Sequence, residues 1–268
     1  MLIRPSLMYT EHIQQILDFL RIHGNDAAYF NVLSTLKPEE VRHIITLAGG
    51  FWQHNGNPKA PHAVMTSGKH SDGFISVPAA ITYPLINNFF AAALVSKIRA
   101  LYHNLYCSQI DWVVGSDHAA ATFSYAVVDQ LIAEAWPCPT STIKHDFTEK
   151  LTVNGEEIHR WRHVIDKWEC VLHIEELCST FLTVQRVRAA IAKANPDYPI
   201  RYFPILGMIV DRTGQSTSQG SSIAALLNIT FNEWDVGRGE ECPLCKGGSK
   251  PLSDVKKSAE TWAKLNCR

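Results

Sequence analysis

The chain has 268 residues, 46% of them hydrophobic and 19% charged, enough for a sizeable core at the upper edge of what one domain holds. A formal net charge of -1 and a pI near 6.9 show no excess of basic residues and argue against nucleic acid as the main partner. No apolar run reaches the ~18 residues of a membrane span, no leader-like segment stands at the start, and seven cysteines, an odd number, are too sparse for a disulfide framework, so a reducing cytoplasm is expected.

In chain order, Glu11 to Ile22 carries apolar residues at helical spacing. "KPEEVRHIITLAGG" follows as a second helix, with Pro38 in its first turn, acids behind it and Gly49-Gly50 as a stop. After a Gly-, His- and Pro-containing stretch, Gln53 to His62, come the polar turn "TSGKHSDG" and a short strand, Phe74 to Val77. Pro84 to about Leu101 is an amphipathic helix. "DWVVGSD" then reads as a buried strand ending at Gly115, with Ala119 to Ala133 as its helix. "CPTSTIKH" is a strand, and Asn154-Gly155 centres a hairpin. "ECVLHIEE" is a further strand with Leu182 to Ala194 as its helix, and "YFPILGMIVDR" and "SSIAALLNITF" supply two more strands. The polar tail from Glu233 holds a Cys-Pro-Leu-Cys turn and a last helix.

Strand, loop and helix alternating through the middle predict an α/β fold with a mostly parallel sheet, whose ligands sit at the carboxyl ends of the strands. Three such ends are polar: Gly115-Ser116-Asp117-His118, Lys144-His145-Asp146 and Glu175-Glu176. Paired acids followed by Ser179, Thr180 and Thr183 at a helix start suit a sugar phosphate, because the helix terminus offers unpaired N–H groups. The plainer readings are a solvated strand end for the acids, helix caps for the hydroxyls and a surface lysine beside a hairpin for Lys150. Cys242 and Cys245 have zinc-ligand spacing without a second close cysteine pair. Cys267 or a histidine could complete a set, but free thiols in a turn is the reading adopted, with no metal site assigned to the protein's own side chains.

Several stretches together resemble the orotate phosphoribosyltransferases of the type I phosphoribosyltransferase superfamily. "TSGKHSDGF" is similar to the family's Ser-Gly-Arg/Lys-His-Ser-Asp turn, "VVGSDHAAATFSYAVVDQL" to its Val-Val-Gly-Pro-Ala-x-Gly-Gly loop and helix, and "FTEK" before Asn-Gly to its mobile loop. "VLHIEELCSTFLTVQRV" resembles the phosphoribosyl pyrophosphate motif, and "VDRTGQ" and "CPLCKGG" the late signatures, all in family order from about residue 40 to 250.

The resemblance implies a type I phosphoribosyltransferase-like fold, a mostly parallel twisted sheet with helices on both faces and a small hood from both termini. It implies one domain over 1–268, divided into N-terminal helices and hood (1–83), α/β core (84–232) and tail (233–268). The implied activity is transfer of ribose 5-phosphate between phosphoribosyl pyrophosphate and a nitrogenous base or nucleotide, with Mg2+, in a homodimer whose lid reaches across the two-fold axis. Glu175 and Glu176 would hold the ribose, Ser179, Thr180 and Thr183 the 5′-phosphate, and Lys150 would be the lid lysine. Phe74 would help cover the base, and Ser67, Lys69, Ser116, Asp117 and Gln185 would complete the substrate contacts.

The chain departs from the family pattern within these same motifs. Glu176 stands where aspartate is usual, Phe181 and Leu182 replace the paired glycines, Ala119 and Ala120 replace those of the pyrophosphate loop, and Gln185 falls where many members carry arginine. A catalytically silent paralogue that binds a nucleotide or metabolite is therefore the second expectation, and a cleft filled by Phe181 itself a third.

Overall fold

The computed structural model describes residues 36–102, 110–133, 142–255 and 258–266. The expected helix at Glu11 to Ile22, the start of the expected strand at 138–145 and Cys267 lie outside them. Helix α1 (Pro38–Leu47) begins where the Lys37 N–H donates to Glu40 Oε2 at 2.7 Å and ends before Gly49, at φ 74°, a left-handed angle that costs glycine nothing. Strand β1 (Phe51–Gln53), the hairpin of β2 (His62–Val64) and β3 (His70–Ser71), and β4 (Gly73–Ile75) follow, β1 pairing antiparallel with β4. The short helix α2 (Pro78–Ile81) leads into α3 (Pro84–Leu101), whose long run of buried residues from Ile86 to Ile98 places it in the core.

The α/β alternation then proceeds as the sequence predicts: β5 (Trp112–Ser116), α4 (Ala119–Ala133), β6 (Lys144–Val153), β7 (Glu156–Arg160), β8 (Cys170–Cys178), α5 (Leu182–Ala194), β9 (Arg201–Asp211), β10 (Thr217–Ser218) and β11 (Ser221–Asn228). These strands form one seven-stranded sheet in the order β10-β11-β9-β8-β5-β6-β7. The five inner strands are mutually parallel, and β10 and β7 close the two edges antiparallel. Strand β8 is central and buried from Cys170 to Glu175, as a parallel strand covered on both faces must be.

Alternate residues serve alternate faces. Val113, Leu172 and Ile174 pack beneath α3 and α4 in the main core, while Trp112, Val114 and Val171 join Trp161, Val187 and Ile191 on the α5 side. Fully burying each aliphatic side chain contributes ~1.5–3 kcal/mol, so this two-sided packing fixes the positions of the strand ends.

The tail supplies β12 (Glu233–Trp234), α6 (Pro243–Lys246), β13 (Pro251–Leu252) and α7 (Ala259–Asn266). Strands β12 and β13 flank the β2–β3 hairpin in a second sheet, ordered β12-β3-β2-β13, which the sequence reading did not contain. Segments more than 160 residues apart are thus joined by strands of two or three residues. No helix among the described residues is long and apolar enough to cross a membrane.

Candidate active site

The carboxyl ends of β5, β6 and β8 border a cleft of about 780 Å³, lined by Ser116, Asp117, Lys150, Glu175, Glu176 and Thr183 together with Asn87, Thr122, Glu157 and His159. Gly115 lets the two elements meet beside it: a Cβ there would stand 2.7 Å from the Ala120 carbonyl and 2.8 Å from Ser124 Oγ, so only glycine lets α4 approach β5 this closely. Beyond it the chain turns through His118 at φ 62°, with the His118 N–H donating to Asp117 Oδ1 at 2.7 Å.

Glu175 is 1% exposed. Ser116 Oγ donates to its Oε2 at 2.6 Å, and His173 Nε2 lies 2.9 Å from its Oε1. Burial pushes the Glu175 carboxyl up to about 8, against the smaller opposing effect of the Ser116 bonds. Burial, reinforced by the Arg188 charge, pushes His173 down to about 3. The pair is therefore a neutral hydrogen-bonded unit beneath the cleft that fixes Ser116. Glu176, one residue on and half-buried, lines both this cleft and a second one.

That second cleft, about 540 Å³, shares Pro78, Glu176 and Leu177 with the first and is lined further by Met65, Phe74, Ser76, Ser179 and Arg212. Phe74 stands against Trp262 with ring centroids 5.5 Å apart. Arg212 binds Glu233 at 2.5 Å and lies 4.9 Å from the Phe231 ring centroid.

The loop from β8 to α5 carries the largest departure from the family pattern. Phe181 holds the left-handed conformation, φ 58° and ψ 3°, that a glycine would adopt freely. Its ring is 6% exposed and lies in neither cleft; it packs with Cys178, Val184, Leu206, Met208 and Ala225 between α5 and the sheet. The ring is thus directed away from the ligand side, which overturns the expectation of a cleft filled by Phe181. Burial pushes the Cys178 thiol up to about 12, while the Phe181 and Thr180 N–H groups turned toward its sulfur act in the opposite direction.

Lys144 to Lys150 belongs to strand β6, paired with β5 from Trp112↔Lys144 to Ser116↔Thr148, and Thr148 is its one buried residue. An antiparallel hairpin with β7, turning at Asn154 (φ 51°) and Gly155 (φ 82°), extends the sheet along the segment where the family resemblance places its mobile loop. Lys150 Nζ contacts Glu157 Oε2 at 2.5 Å, and Arg186 Nη1 donates to Glu157 Oε1 at 2.8 Å. The Lys150 hydrogen bond and charge hold the Glu157 carboxyl below the usual range despite some burial. Burial lowers His159 beside it, although Glu157 acts to raise it.

Of the residues singled out from sequence, Ser116, Asp117, Lys150, Glu175, Glu176 and Thr183 meet in the first cleft, and Phe74, Ser179 and Glu176 in the second. Ser67, Lys69, Thr180 and Gln185 line neither. Glu157, His159, Asn87 and Arg212 were not foreseen as site residues. For Arg212 the signal was present, an arginine directly after the buried strand "MIVD". Asp117 and Glu176 bring carboxylate oxygens to the first cleft, which suits Mg2+, an ion that takes one or two carboxylates alongside substrate phosphates.

No family model matches the chain. An orotate phosphoribosyltransferase of Caldicellulosiruptor bescii is 26% identical over 187 residues, 70% of this chain and 84% of the relative. That of Acidithiobacillus ferrooxidans is 26% identical over 193 residues, 71% of this chain and 86% of the relative. Among solved structures, the orotate phosphoribosyltransferase of Aeropyrum pernix aligns with a TM-score of 0.47 at 10% identity, over 70% of this chain and 93% of that one. The chain is thus similar to orotate phosphoribosyltransferases over about 70% of its length, in the stretch that holds the ordered motifs and the parallel sheet that carries them.

Proposed function

We propose that the chain binds phosphoribosyl pyrophosphate in the first cleft and transfers ribose 5-phosphate between it and a nitrogenous base held in the second. The observation that carries this reading is Glu176, at the end of the central parallel strand, where the two clefts meet. A ribose gripped there presents its anomeric carbon to both compartments, so leaving group and incoming base occupy opposite sides. Thr183 and the start of α5 receive the 5′-phosphate, the Ser116–Asp117 turn faces the pyrophosphate, and Phe74 and Arg212 flank the base. Lys150 supplies positive charge to the departing pyrophosphate once it exchanges Glu157 for substrate. Mg2+, held between Glu176 or Asp117 and the phosphates, would neutralise the leaving group. The remaining catalysis is positioning, for which the neutral Glu175–His173 unit keeps Ser116 fixed. One folded unit over 1–268 and a homodimer belong to this reading; limited proteolysis and light scattering at micromolar protein test them.

A second reading, a silent paralogue that binds without turnover, draws support from the engagement of Lys150 by Glu157. Pyrophosphate release from phosphoribosyl pyrophosphate and Mg2+, measured across a panel of nucleobases, separates the two. Release that depends on one base is expected, and binding without release from any base would establish the silent paralogue.

A further inference from the structure

Away from both clefts, His62 on β2, His70 on β3, and Cys242 and Cys245 at the start of α6 bring four ligand atoms within 4.8 Å of one another. His62 Nε2 lies 2.9 Å from His70 Nδ1, 3.7 Å from Cys242 Sγ and 3.5 Å from Cys245 Sγ, and Cys245 Sγ lies 3.3 Å from His70 Nδ1. A tetrahedral zinc with ordinary bond lengths needs ligand separations of about 3.3 Å between nitrogens and about 3.6 Å between nitrogen and sulfur. The observed spacings match within a few tenths of an ångström.

Proton placement supports a cation. Ser249 Oγ donates its single proton to the Ala60 carbonyl at 2.6 Å, so its 2.8 Å contact with His62 Nδ1 must be donated by the histidine. Neutral His62 then presents a bare lone pair at Nε2 to the other three atoms. A ligand histidine oriented through its far nitrogen is the usual outer-shell arrangement of a metal site. Both cysteines are free of disulfide bonds, and four closely grouped protein ligands leave no position open for substrate.

We propose that His62, His70, Cys242 and Cys245 form a structural zinc site that fastens the β2–β3 hairpin to the C-terminal turn. Two imidazoles and two thiolates in a closed tetrahedron select zinc over magnesium or calcium. The site also has work to do: the second sheet is built from strands of two or three residues, and its ligands lie about 180 positions apart in sequence. The same hairpin contributes Val64 and Met65 to the second cleft, so the ion would set that wall. Nothing here depends on the phosphoribosyl reading.

The test is elemental analysis of the full chain, purified reduced and without chelator. About one zinc per chain is expected, with most of it lost in Cys245→Ser and in His70→Ala. Because loss of a ligand also removes a tie between the hairpin and the tail, the wild type is also stripped with a chelator, which should lower Tm by several degrees. Added Zn2+ should restore it and Mg2+ should not. Cobalt refilling should give the visible absorption of a tetrahedral thiolate site. Wild type without transition metal that takes up no cobalt, a Cys242–Cys245 disulfide in its place, or zinc content unchanged in Cys245→Ser would overturn the proposal.

Discussion

Two loops at the ends of neighbouring parallel strands, the turn ahead of α4 and the turn ahead of α5, pose the same backbone problem and solve it differently. Each places a non-glycine residue in the left-handed region, His118 at φ 62° and Phe181 at φ 58°, in motifs where the family carries glycines. The His118 side chain is 87% exposed. The Phe181 ring is instead an anchor, buried beneath α5. A strained angle can thus be carried by a side chain with other contacts to make, or simply tolerated at the surface, and substitution should tell these apart.

The largest effect is expected for Phe181→Gly. Losing a packed aromatic costs ~3–5 kcal/mol, and glycine recovers ~1 kcal/mol of left-handed strain, so urea denaturation should show a net loss of ~2–4 kcal/mol. Affinity for phosphoribosyl pyrophosphate should hardly change, since the ring lies outside both clefts. A large gain in affinity would restore the picture of a blocked site.

The pH dependence of stability tests the buried unit beside these loops. Glu175 has a folded pKa of about 8 against an ordinary 4.5, so its contribution is complete below 4.5 and is lost as pH rises through 8. His173, lowered from 6.5 to about 3, contributes fully above 6.5 and loses that contribution as pH falls through 3. The two slopes cancel between 4.5 and 6.5, which predicts a plateau there and falling stability from 6.5 to 8. Glu175→Gln should abolish the alkaline fall in Tm.

A smaller change is expected at the helix start. Thr183→Ala should weaken phosphoribosyl pyrophosphate binding by ~1–3 kcal/mol, the loss of a hydrogen bond to a charged group. Thr180→Ala, altering an exposed residue outside both clefts, should weaken it less. His118→Gly closes the series. Relief of strain and the added freedom of the unfolded chain nearly cancel, leaving stability within ~1 kcal/mol of wild type by the same denaturation measurement.

What the sequence disclosed follows the same division between local and distant contacts. Strands β5 and β8 and helices α4 and α5 were legible because double-sided burial writes continuous apolar runs, and their polar ends adjoin them in the chain. Asn154-Gly155 announced the β6–β7 turn for an equally local reason. The second sheet was not legible, since strands of two or three residues leave no period to read. Nor was the grouping of His62 and His70 with Cys242 and Cys245, which depends on contacts across most of the chain. The direction of the Phe181 ring was hidden as well, because a hydrophobic residue in a glycine position can fill a cleft or a core, and only packing decides.

The central claim is that the first cleft still holds a sugar phosphate although its loops have lost their glycines. Calorimetric titration of phosphoribosyl pyrophosphate with Mg2+ into the wild-type chain tests it most directly, with Thr183→Ala and the exposed, cleft-remote Gln185→Ala as comparisons. Saturable binding, weakened by the first substitution and unchanged by the second, is the predicted result. Absence of binding to the wild type at millimolar ligand would contradict it.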